Sequence, residues 1–148
     1  MPVDPIRVVV ADKHPAMRRS LRLLLDGEPD MQVVAEAADL ATVVAQVHRH
    51  RPPVLVLDLG IDNGSSIEAI GRLRREVPRS EIVVLTMEES PVFERRAINA
   101  GAIGFVIKDR AGGELSEAVR SAARGEAHVS ASVSAGPSSL RQSALVSP

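Results

Sequence analysis

The chain has 148 residues, with 18 Lys and Arg against 19 Asp and Glu, and no cysteine. A net charge of -1 leaves no bulk electrostatic footprint for nucleic acid, and the missing cysteines exclude disulfides, thiolate metal sites and cysteine nucleophiles. The N-terminus carries acids and no long apolar stretch, so neither a signal peptide nor a membrane span is predicted, and a cytoplasmic protein is expected.

Phe93 and Phe105 are the only aromatics, so the core must be built from aliphatic side chains. Ile6 to Ala11 is an apolar run apart from Arg7 and predicts a first strand. Pro15 suits the first turn of a helix, where its missing N–H is not needed. On that helix Met17, Leu21, Leu24 and Leu25 share one face, and Arg18, Arg19 and Arg22 are expected in solvent. Met31 to Ala37 predicts a second strand, and Asp39 caps a second helix reaching Arg49, ended by Pro52-Pro53. Leu40, Val43, Val44 and Val47 form its inward face.

Val54 to Leu57 is too apolar to have a wet face, as expected of a central parallel strand. The polar loop from Gly60 to Ser66 leads into a helix with Ile67, Ile70, Leu73 and Val77 inward, closed by Pro78. Ile82 to Leu85 is the fourth strand, and the next helix ends at Ala100-Gly101. Ile103 to Ile107 is the fifth strand, and Ala111 to Arg124 the last helix, with Leu115, Ala118, Val119 and Ala122 inward. Alternation of this kind predicts a doubly wound α/β fold with a five-stranded parallel sheet. The compositional change near Ser130 divides the chain into a domain at 1–129 and a linker or flexible tail at 130–148.

Three chemical side chains close three buried strands: Asp58, Thr86 and Lys108. The first strand ends in Asp12-Lys13-His14. Right-handed crossovers bring all these ends to one edge of the sheet, where open α/β sheets place their chemistry. Such a set supports phosphoryl acceptance: a carboxylate attacks phosphorus while an ammonium and a hydroxyl stabilise the phosphoryl oxygens. Each residue also has a plainer reading: Asp12 and Asp58 as caps, Thr86 as a strand-end hydroxyl, Lys108 as a solvated charge, His14 as a capping or solvent-facing residue. A flavodoxin-like cofactor binder has little support, because Asp12-Lys13-His14-Pro15 is not a phosphate-cradling glycine loop.

The stretches ADKHPAMRRSLRLLL, VVAEAAD, PPVLVLDLG, EIVVLTM, NAGAIGFVIKD and AARGEAHVS fall in order between Ile6 and about Ser130. In them the chain resembles the receiver domain of bacterial response regulators, and most closely the NarL/FixJ type, which carries a C-terminal helix-turn-helix domain. The resemblance implies a CheY-like (βα)5 fold of strand order 2-1-3-4-5 and a signalling role rather than an enzymatic one. It places Asp58 at the phosphoacceptor position, Thr86 and Lys108 at the phosphoryl-contacting positions, Asp12 at the first carboxylate of the acidic pair and Phe105 at the switch aromatic. It assigns the Gly60 carbonyl to a metal ligand. It further implies a histidine kinase as partner, a homodimer, and a DNA-binding domain in a longer protein. The surface around Phe105, Arg95, Arg96, Asp109 and Arg110, or the first and last helices, would carry the output.

The second carboxylate of the family's acidic pair is replaced by Lys13. Two lysines facing Asp12 and Asp58 would balance the cluster without a cation. An added Mg2+ would then meet one positive charge too many and one ligand too few. The expectation is therefore an atypical receiver with no cofactor, disfavoured Mg2+ binding and weak or absent Mg2+-dependent phosphorylation. The alternative is a phosphorylation-independent dimerisation or partner-binding module. Lys13 turned to solvent would still leave a ligand missing, unless Asp62 supplied one. Glu88 is a further candidate to cover the site.

Overall fold

The structure is a computed structural model that describes residues 4–61, 66–87 and 90–130. Asp62, Glu88 and the tail from 131 onward lie outside the described residues, as does most of the loop after Gly60. Strands β1 (Ile6–Ala11), β2 (Met31–Ala37), β3 (Val54–Asp58), β4 (Glu81–Thr86) and β5 (Gly104–Ile107) alternate with helices α1 (Pro15–Asp26), α2 (Leu40–His50), α3 (Ser66–Glu76), α4 (Pro91–Ala100) and α5 (Ala111–Ala123). A short strand, β6 (His128–Val129), follows α5.

The sheet is parallel, with order β2-β1-β3-β4-β5-β6. The expected 2-1-3-4-5 order is therefore present, extended by one strand. Side chains alternate across each strand, so the two faces build two separate cores. Val9, Leu55, Leu57, Val84 and Phe105 pack with Val43, Val47, Ile70, Leu73 and Ala97 on the face covered by α2, α3 and α4. Val8, Val10, Val54, Val56 and Val106 pack with Leu21, Leu25, Leu115 and Val119 on the face covered by α1 and α5. A strand buried on both sides must be apolar throughout, and β3 is buried at every residue, its terminal Asp58 included.

Local chemistry sets the ends. Pro15 occupies the first turn of α1, and the Asp39 carboxylate caps α2 by accepting the Thr42 N–H at 2.8 Å. Arg51 closes α2 in the left-handed region, with its N–H on the Val47 carbonyl. The Arg7 guanidinium crosses from β1 and donates to the carbonyls of His50 (2.6 Å) and Arg51 (3.1 Å), satisfying the C-terminus of α2.

The expectation of solvent holds for Arg22, whose side chain is 47% exposed, and is corrected for Arg18, at 19%. Both pair with Glu36 at the end of β2. On the neighbouring side, Arg120 of α5 gathers Glu28, Asp30 and Glu117. Hydrogen bonds from Arg120 hold the Asp30 carboxyl below its ordinary value of 3.8, and those from Arg22, then Arg18, hold Glu36 below 4.5.

Among the described residues no helix is long and apolar enough to cross a membrane.

Two predictions follow from this packing. Gly101 closes α4 at φ 125°, and a Cβ there would lie 2.3 Å from Arg74 Cγ. Gly101→Ala should therefore cost about 1–3 kcal/mol, read as a lower urea midpoint at an unchanged slope. The second concerns acid. A carboxyl whose folded pKa is lowered adds stability that is present above its unfolded value and lost as pH falls through the folded one. Thermal midpoints should begin to drop below the ordinary 4.5 of Glu36 and continue below the 3.8 of Asp30. Arg120→Ala should lower the midpoint at neutral pH and make the acid decline shallower, which a pH series of melts will show.

Candidate functional site

Parallel pairing sets the edge. Ala11 is level with Leu57, Asp58 with Leu85, and Thr86 with Ile107. The next residues outward at the first and fifth strands are Asp12 and Lys108, so four chemical groups come to one rim.

Asp12 is fully buried and Asp58 is 3% exposed. Lys108 leaves the sheet through a single 3-10 turn, Lys108–Arg110, and its Nζ lies 3.2 Å from Asp12 Oδ2 and 3.0 Å from Asp58 Oδ1. One ammonium is thus shared by two buried carboxylates. The main chain adds two donors: His14 N–H donates to Asp12 Oδ1 at 2.8 Å, and Gly60 N–H to Asp58 Oδ1 at 3.1 Å. Backbone donors stabilise the charged form of a carboxylate and fix its rotamer.

The rim opens into a cleft of about 410 Å³ lined by Lys13, His14, Asp58, Leu59, Gly60, Ile67, Thr86, Met87, Phe93 and Lys108. Thr86 is nearly buried at the end of β4. The structure therefore brings Asp12, Lys13, Asp58, Thr86 and Lys108 to one place. Phe105 is not part of the cleft wall. It is fully buried one strand away, level with Val84.

The reading of Lys13 as a residue that disables the pocket is overturned. Lys13 is exposed on the cleft wall, and the ion pairs to Asp12 and Asp58 described above come from Lys108. Nor is the pocket short of ligands. Asp12, His14 and Asp58 each offer one candidate ligand atom, all within 4.8 Å of one another. Two carboxylate oxygens and an imidazole nitrogen are a donor set suited to a divalent cation. The acidic pocket is intact in the form Asp12/Asp58 with Lys108, and the expected disfavour toward Mg2+ is withdrawn with the atypical label.

His14 is the residue that sequence reasoning undervalued. It sits at the N-cap position of α1 but its side chain makes no capping hydrogen bond. Its Nδ1 lies 3.4 Å from Asp12 Oδ1 instead. The signal was its place two residues after a strand-end carboxylate, directly before the helix-opening proline.

The family model described as "Response regulator receiver domain" matches residues 8–120. Over 124 residues the chain is 36% identical to a protein of Bacillus subtilis (strain 168) named uncharacterized transcriptional regulatory protein YxjL, covering 84% of this chain and 57% of that one. It is 36% identical over 121 residues to the nitrate/nitrite response regulator protein NarP of Escherichia coli (strain K12), covering 82% of this chain and 56% of that one. The crystal structure of a LuxR-family two-component response regulator from Aurantimonas sp. SI85-9A1 matches with a TM-score of 0.82 at 30% identity, covering 88% of this chain and 93% of that one. The chain spans little more than half the length of these curated relatives.

The shared ammonium gives a sharp prediction. Lys108→Ala removes the ammonium that two buried carboxylates share, and should destabilise the fold by about 3 kcal/mol. Adding Asp58→Asn in that background removes one of the charges and should recover most of the loss. Urea unfolding of the two single variants and the double variant will measure it.

Proposed function

Since this chain belongs to the response regulator receiver domain family, we propose that Asp58 accepts a phosphoryl group and holds it as an acyl phosphate. The observation that carries this reading is the single ammonium shared by Asp58 and Asp12 at the C-terminal edge of the sheet. Domains of this family are signalling modules rather than enzymes.

A carboxylate oxygen of Asp58 attacks phosphorus. The new O–P bond forms as the bond from phosphorus to the donor's leaving atom breaks, and the electron pair departs with the donor. Lys108 already lies against Asp58, so its ammonium can follow the charge onto the phosphoryl oxygens without crossing open water. The Thr86 hydroxyl lines the same cleft and donates to another oxygen. Lys13, exposed on the wall, adds positive potential along the approach of an anionic donor. The oxygens of Asp12 and Asp58, the His14 nitrogen and the carbonyl of Gly60 are the groups that would hold a divalent cation. When bound, it would offset negative charge on the transferred group.

Transfer would draw Lys108 toward the phosphoryl group and loosen its hold on Asp12. Lys108 directly follows β5, and Phe105 is on that strand, so Phe105 and the surface bearing Arg95, Arg96, Asp109 and Arg110 would report the change. A histidine kinase as donor, a cytoplasmic setting, a homodimeric output form and an attached DNA-binding domain in a longer protein belong to this reading. Support for the last comes from relatives that bear the names of transcriptional and response regulators.

Intact-mass measurement after incubation with acetyl phosphate tests the proposal. The expected result is a gain of one phosphoryl group with Mg2+ present, absent in Asp58→Asn and strongly reduced in Lys108→Ala. No gain under any condition would discard phosphoacceptance and leave the reading of a module that works through partner contacts alone.

A further inference from the structure

We propose that Arg18 and Glu36 form a clamp that positions the acidic loop, and that a bulge in β2 exists to make it. The inference rests on the reading of Asp12 as part of the cation and phosphoryl pocket.

β2 pairs with β1 in register from Ile6↔Met31 to Val8↔Val33, then skips Val34 and resumes at Val9↔Ala35, Val10↔Glu36 and Ala11↔Ala37. Side chains alternate along a strand, so one extra residue turns over every side chain beyond it. Met31 and Val33 face the core under α1 and α5. Without the bulge, Glu36 would point to the opposite face, toward α2. With it, Glu36 lies level with Val10, on the α1 side of the sheet.

Two arginines one turn apart on α1 meet it there. Arg18 Nε donates to Glu36 Oε1 at 3.0 Å, and Arg22 Nη1 pairs with Oε2. Their second partners differ: Arg18 Nη1 donates to the main-chain carbonyl of Asp12 at 2.8 Å, whereas Arg22 Nε donates to Asp26 on its own helix. The N–H of Asp12 donates to the Ala37 carbonyl of β2 at 3.0 Å. The main chain of Asp12 is therefore held at both ends by β2, once directly and once through Arg18 and Glu36.

That carbonyl belongs to the peptide joining Asp12 to Lys13, which lies between the Asp12 carboxylate and the His14 N–H that donates to it. The Arg18 side chain is 19% exposed and Glu36 28%, so the pair is sheltered enough to act as a stay. Arg18 bonds the main-chain carbonyl of Asp12 through its side chain and that of His14 through its N–H. Its role is positioning.

The test compares Arg18→Ala with Arg22→Ala in the full chain. Both lose a bond to the same Glu36, but only the first releases the Asp12 carbonyl. Without any cation, amide exchange at Lys13 and His14, followed by NMR, should speed up in Arg18→Ala and stay at the wild-type rate in Arg22→Ala. Titration with Mg2+ alone should show a dissociation constant raised on the order of tenfold in Arg18→Ala, as for other losses of a group that orients a ligand. Arg22→Ala should bind as wild type, and Arg18→Lys should fall between. Equal behaviour of the two alanine variants in exchange would overturn the clamp. Wild-type protein that does not bind Mg2+ would instead count against the proposed cation pocket, while the exchange comparison still decides the clamp.

Discussion

One ammonium serving two buried carboxylates is the constraint around which this molecule is arranged. Asp12 and Asp58 come from adjacent strands, and Lys108 Nζ lies within 3.2 Å of one and 3.0 Å of the other. Lys108 supplies the ammonium from two strands away, which requires β1, β3, β4 and β5 to end level with one another. Level ends in turn require the parallel register and the four crossovers, each with a helix long enough to return the chain. The sheet's apolar strands provide the stability, but the edge determines where each must stop.

The rest of the edge serves the same balance. Main-chain N–H groups of Gly60 and His14 hold oxygens that Lys108 cannot satisfy alone. Arg18 secures the peptide behind Asp12 and is itself neutralised by Glu36. Positive and negative groups thus alternate outward from the pocket, and each buried ion has a partner on more than one side. Such a cluster is stiff until a new anion enters, and then has to redistribute as a unit.

Much of this was legible in the sequence. Strand runs such as Val54-Leu55-Val56-Leu57 are short, apolar and sharply bounded, so their type and order could be read, and with them the convergence of Asp58, Thr86 and Lys108. The family motifs fixed the numbering of the pocket. What escaped was whatever depends on a register shift or on a side chain's direction. Arg18 reads as one more charge on a wet helix face, because nothing in MQVVAEA announces that Val34 is skipped. Lys13 does line the cleft, but motif position alone does not tell that the buried ion pairs come from Lys108 or that His14 adds a ligand atom beside Asp12 and Asp58. His14 was discounted because a lone histidine before a helix more often caps or hydrates. The sixth strand has only His128 and Val129 in polar surroundings, too short for any periodicity.

That last strand carries the sheet past α5. Ser130 is fully buried, accepts the Ile107 N–H at 3.1 Å, donates to Glu114 at 2.9 Å, and gives its own N–H to the Phe105 carbonyl. A chain cut at the close of α5 would leave β5 as a bare sheet edge and strand a buried donor one residue before Lys108. Protein engineers who wish to graft or shorten this unit should keep the serine as well as the helix. Ser130 is itself tied to the strand that delivers the ammonium, so a change at that serine is felt one residue away from Lys108.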